Sequence, residues 1–96
     1  MTPLRVDCRP RGDGWSCAVT VGDDAAATHH EVSVTTDVLE RLAPGDVEPR
    51  RLVRASFEFL LEREPRESIL RSFDLTVITR YFPQWEAEIR KRLAAS

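Results

Sequence analysis

The sequence predicts an α+β fold, with a three-stranded antiparallel β-meander in the N-terminal half packed against four or five short helices in the C-terminal half. Three observations carry that expectation. Apolar residues alternate with polar ones over residues 4–35. Turn-forming residues separate the alternating segments. From residue 37 the spacing becomes helical, with prolines at the starts and stops. At 96 residues the chain is the size of one domain, read as a single unit over 1–96 with strands over about 3–35 and helices over about 37–94.

The first strand sets Leu4, Val6 and Cys8 on one side. The second sets Trp15, Cys17, Val19 and Val21 on one side. Period-two alternation marks half-buried strands. Between them Gly12-Asp13 fits a two-residue hairpin turn, with glycine supplying a positive φ at its first position. That turn pairs Arg11 with Gly14, Pro10 with Trp15, Cys8 with Cys17, Val6 with Val19 and Leu4 with Val21. Apolar residues then meet apolar residues all along one face. The letters Arg11-Gly12-Asp13 match an extracellular adhesion tripeptide, but a hairpin tip accounts for the glycine directly. The third strand, Thr28 to Thr35, shares a face through His30, Val32 and Val34. Pairing Val21 with His30, Val19 with Val32 and Cys17 with Val34 continues the apolar side. His30 is then expected near the sheet edge, half in solvent.

Cys8 and Cys17 face each other across the hairpin. Opposed Cβ atoms lie roughly 4.5–5.5 Å apart, and a disulfide needs about 3.5–4.5 Å. A bond is conceivable but strained, and a cytosolic setting favours two buried, reduced thiols. A redox role for the pair is the alternative. The expected register puts His30 four residues beyond the partner of Cys17, roughly 13 Å along the strand, too far for a shared metal. No metal and no cofactor are expected.

Asp37 with Glu40 fits a capping box ahead of Val38, Leu39 and Leu42, and Ala43-Pro44-Gly45 ends that helix. Pro49 suits the first turn of a longer helix, with Asp46 or Glu48 at its start. Leu52, Val53, Phe57, Leu60 and Leu61 form its apolar side, Arg54 and Glu58 are spaced to pair on the wet side, and Glu64-Pro65 stops it. Pro65 opens a short helix through Ile69, Leu70 and Phe73. Asp74 caps the next. A stripe of Leu75, Ile78, Tyr81, Phe82, Trp85, Ile89 and Leu93 then runs past Pro83, which either kinks one helix or separates two. Arg90, Lys91 and Arg92 complement the dipole at the last helix end.

The stretch FEFLLEREPRESILRSFDLTVITRYFP, Phe57 to Pro83, resembles short bacterial proteins of unknown function that share an FxFLLEREPxESILxxFDLxxIxxYFP-like segment. The resemblance implies a bacterial origin and these domain boundaries. It implies no activity.

A net charge of −2 argues against a general polyanion binder, and neither half of the chain is a basic arm. No apolar run approaches the roughly 18 residues of a membrane helix, and MTPLRVDCRP lacks the apolar centre of a signal peptide. The expectation is a soluble cytoplasmic protein. No Gly-rich phosphate loop, serine elbow or CxxC pair occurs, so no enzyme is expected. The favoured reading is a protein-interaction module, with self-association as one form. The helices carry more large apolar residues than a three-stranded sheet covers, and Phe59, Tyr81 and Trp85 are the interface candidates. Phe59 sits off the Val53-Phe57-Leu60 line. The second reading is nucleic-acid binding through Arg50, Arg51 and Arg54, positive charges near a helix start. The third is the thiol chemistry of Cys8 and Cys17.

Overall fold

Alternating residues that must bury one side pair first with their chain neighbours. β1 (Leu4–Arg11), β2 (Gly14–Val21) and β3 (Thr28–Thr35) accordingly form an antiparallel meander. The computed structural model describes residues 3–43, 45 and 47–95. The β1–β2 register is the one the turn predicts, from Arg11 opposite Gly14 to Leu4 opposite Val21. Gly12 takes a φ of 59° in the turn. Gly14 is required for a different reason. A Cβ there would lie 2.0 Å from the Val34 carbonyl oxygen and 2.7 Å from Thr35 Cα.

The hairpin tip also fixes where the helices begin. The Asp13 carbonyl accepts hydrogen bonds from Thr36 N at 3.0 Å and Thr36 Oγ1 at 2.7 Å. Helix α1 (Thr36–Leu42) starts there, capped by Thr35 Oγ1 accepting from Val38 N. The cap is thus Thr35 and not Asp37, because β3 runs straight into the helix with no intervening turn.

The sheet departs from expectation in two ways. The β2–β3 register is displaced by two residues, so that Cys17 faces Val32, Val19 faces His30 and Val21 faces Thr28. A slip of two leaves every side chain on its own face, so the apolar pattern is satisfied either way. The second departure is a fourth strand, β4 (Ser72–Asp74), parallel to β3 in the order β1-β2-β3-β4. The expected helix from Pro65 to Phe73 is only a 3-10 turn at Arg66–Ser68, after which the chain extends to pair with β3.

Helix α2 (Pro49–Leu61) starts at Pro49 as expected, with Glu48 at its cap position; Pro44 and Asp46 lie outside the described residues. Arg54 reaches β1, donating to the Leu4 carbonyl at 2.9 Å. Asp74 caps a 3-10 turn, Leu75–Val77, by accepting from Thr76 N. Short helix α3 (Ile78–Tyr81) follows, and Pro83 separates it from α4 (Trp85–Ala95).

α2 packs on β1 and β2, and α4 packs on α2. Trp85 is the largest fully buried side chain, and its indole N–H donates to Ser56 Oγ at 3.2 Å. Ser56, itself fully buried, donates to the Leu52 carbonyl at 2.8 Å. A buried N–H costs its desolvation unless paired, and Ser56 supplies the partner from within α2. The opposite face of the sheet is polar, with Ser16 donating to Glu31 at 3.1 Å and Ser33 to Asp74 at 2.9 Å.

Three outcomes are expected in chemical denaturation. Gly14→Ala destabilises by about 3 kcal/mol or more, because its Cβ meets backbone that can yield only by parting the strands. Gly12→Ala costs about 1–2 kcal/mol, the penalty of a left-handed conformation in open space. Ser56→Ala costs about 1–3 kcal/mol by stranding the Trp85 indole N–H, with an unchanged m value.

Candidate functional site

The segment after α2 cannot be helical through Pro65, and its adjacent apolar residues therefore part company. Ile69 turns into the core while Leu70 is left 46% exposed. Tyr81, at the end of α3, is 66% exposed. These two are the exposed large hydrophobic residues among those described, and both line the same groove. Its floor is Leu60, Ile69, Phe73, Val77, Ile78 and Phe82, and its volume is about 120 Å³. Cavities of about 150 Å³ hold one benzene, so the groove admits one apolar side chain.

Among the described residues, Glu64 is the one charged residue lining the groove. Burial pushes its carboxyl above the ordinary carboxylate value. No side-chain hydrogen bond or ion pair reaches it among the described residues. The groove is thus apolar with one partly desolvated, unpaired acid at its edge.

His30 braces the backbone that carries Leu70 to the groove. It is 4% exposed, not half in solvent as its expected register implied. The two-residue displacement brings it under the helices, where its ring lies 5.3 Å from that of Phe57. Nδ1 is 2.7 Å from the Leu70 carbonyl, and Nε2 is 2.9 Å from Thr28 Oγ1. A carbonyl only accepts, so Nδ1 carries the proton and the neutral ring accepts from the Thr28 hydroxyl at Nε2. Glu31 N adds a bond of 2.7 Å to the Arg71 carbonyl. The backbone that presents Leu70 is thereby pinned to β3.

Two of the expected interface residues are elsewhere. Phe59 and Trp85 are both fully buried, so neither is offered to a partner. Phe59 meets Phe82 edge-on at 5.8 Å, and the Arg63 guanidinium lies over its ring at 3.7 Å. Glu62 accepts from Arg92 at 2.7 Å and Arg63 at 3.3 Å, tying the end of α2 to α4. The Arg92 hydrogen bond holds the Glu62 carboxyl below its ordinary value, although exposed pairs of this kind contribute under about 1 kcal/mol. Tyr81 alone of the three is exposed.

The arginine cluster is partly engaged within the fold. Arg50 pairs with Glu48 at 3.6 Å and Arg54 donates to Leu4. Arg50, Arg51 and Arg54 are all solvent-exposed. Cys8 and Cys17 are joined by a disulfide, their Cα atoms 4.0 Å apart, against the expectation of two free thiols. Directly opposed strand positions at this short separation bring the sulfurs together. No trio of His, Cys, Asp or Glu placed to hold a metal ion occurs among the described residues, and none of their helices is long and apolar enough to cross a membrane.

No family model, no curated protein and no solved structure matches this chain.

The His30 ring gives a test of the groove's support. Burial is the main cause that lowers its pKa below 6.5, opposed by the Leu70 hydrogen bond and aided by the charges of Arg71 and His29. The unfolded chain therefore binds the proton first on acidification, and stability is lost as the pH falls below about 6.5. Denaturation midpoints at about pH 7.5 and pH 5.5 should show this loss, and the difference should shrink in His30→Gln.

Proposed function

We propose that this protein is an interaction module that seats an apolar side chain of a protein partner, flanked by a lysine or arginine, in the groove between the Pro65–Arg71 segment, β4 and α3. The observation that carries the reading is the placement of Leu70 and Tyr81, the exposed large hydrophobics among the described residues, on the rim of one concave apolar surface. Tyrosine in such a position is the kind of residue that anchors interfaces. Glu64 supplies the charge preference. A partly desolvated carboxylate gains most from a cation that arrives with the ligand.

Self-association is the competing occupant. Nucleic-acid binding is less favoured, because Arg54 is drawn to the Leu4 carbonyl and the chain carries a net charge of −2.

Selection of a random displayed-peptide library on the immobilised protein should enrich sequences with an apolar residue next to Lys or Arg. Amide chemical shifts on adding an enriched peptide should change at Glu64, Leu70 and Tyr81. Leu70→Glu should abolish the effect, and Glu64→Gln should weaken binding about two- to fivefold. Enrichment without basic residues, shifts confined to other surfaces, or a concentration-dependent dimer by sedimentation that Leu70→Glu dissolves would each overturn this choice of occupant.

A further inference from the structure

The disulfide sits at the edge of the helical layer, and its two sulfurs differ in access. Cys17, on the central strand, is fully buried. Cys8, on the edge strand, is only partly buried and lines a second cavity, of about 440 Å³, between the hairpin and the start of α2. The cavity walls include Asp7, Pro10, Trp15, Glu48 and Arg50. Its volume lies in the range of small-molecule sites.

We propose that Cys8 is a thiol-exchange site for a small zwitterionic aminothiol, one carrying both an ammonium and a carboxylate. The chemistry of the walls sets the class. Glu48 suits an ammonium. The Arg50–Glu48 pair, 3.6 Å apart with both side chains largely solvated, is weak enough to open and let Arg50 meet a carboxylate. The Trp15 ring and Pro10 offer apolar contact between them.

The approach fixes which sulfur reacts. An incoming thiolate attacks Cys8 Sγ. The Cys8–Cys17 bond breaks, and its electron pair leaves on Cys17 Sγ, which takes a proton from water. A second thiolate then attacks the small thiol's own sulfur in the mixed disulfide. Cys8 departs as a thiolate and the two small thiols leave as one disulfide, so the protein gains two electrons and the aminothiol loses them. The strands do not depend on the bond. The hairpin keeps eight opposed residue pairs and a two-residue turn without it, so exchange leaves the fold in place.

The oxidised protein is incubated with free cysteine, with glutathione and with uncharged 2-mercaptoethanol, blocked with N-ethylmaleimide and mapped by peptide mass spectrometry. The mixed disulfide is expected on Cys8 with the maleimide on Cys17, and Arg50→Gln should slow exchange with cysteine and glutathione about two- to fivefold while leaving 2-mercaptoethanol unchanged. Where the adduct is short-lived, Cys17→Ser and Cys8→Ser are treated with glutathione disulfide. The first is expected to glutathionylate, and the second only when denatured. An adduct on Cys17, equal adducts on both, equal reactivity of the two folded single-cysteine variants, or an Arg50→Gln effect shared by the uncharged thiol would overturn the proposal.

Discussion

The close approach at the hairpin tip is the constraint from which the rest of the layout follows. Gly14 lets the β3 backbone come near enough that no side chain fits between them. With β3 held there, its end is fixed, and the Asp13 carbonyl takes both the N–H and the hydroxyl of Thr36. The chain leaves the sheet and enters α1 at one defined point. The helices are then delivered to the apolar face of the meander and not to its polar face. The Gly12-Asp13-Gly14 run, which overlaps the adhesion-like letters in two residues, therefore serves as a corner post: a positive φ at Gly12, a carbonyl accepting two hydrogen bonds at Asp13, a missing Cβ at Gly14.

The second layer depends on polar groups that its own burial would otherwise penalise. Trp85 brings an indole N–H into the core, and Ser56 meets it from the middle of α2. His30 brings a ring with two polar atoms, and both are satisfied, one by the loop that leads to β4 and one by Thr28. These pairings are directional in a way apolar packing is not. They select the position of α4 against α2, and of the Leu70 loop against β3, from among arrangements that would bury similar area. The acid–arginine cluster at Glu62, Arg63 and Arg92 closes the same corner from outside and contributes less, being largely solvated.

What was legible in the sequence divides along a physical line. The β1–β2 register was readable because two independent constraints, turn geometry and apolar pattern, agreed on it. The β2–β3 register had only the pattern, and a displacement of two residues keeps every residue on its face. The longer link at Gly22 to Ala27 left that choice open. β4 is invisible in the sequence because three residues are too few to show alternation, and its pairing comes from β3, 41 residues earlier in the chain. Phe59 and Trp85 are surplus only if the sheet is the one surface to be covered. In the fold the helices also cover each other, and α4 absorbs that side of α2. Leu70 and Glu64 were missed because their segment read as a helix. Extended backbone after the turn at Arg66–Ser68 is what sends the neighbours Ile69 and Leu70 to opposite sides.

That correction changes which apolar residue matters, and the reason is chemical. A surplus phenylalanine on a helix can be taken in by a neighbouring helix, as Phe59 is. Tyr81 is different, because its ring can lie along an apolar groove while its hydroxyl stays wet. The free protein therefore tolerates it at an exposure that would be costly for phenylalanine. Glu64 behaves in a parallel way: its raised pKa marks a carboxylate that has lost some water and gained no partner. Both residues are stable enough to persist unbound and improved by contact. A surface that combines the two, on a backbone held in place by a buried histidine, is organised before any partner arrives.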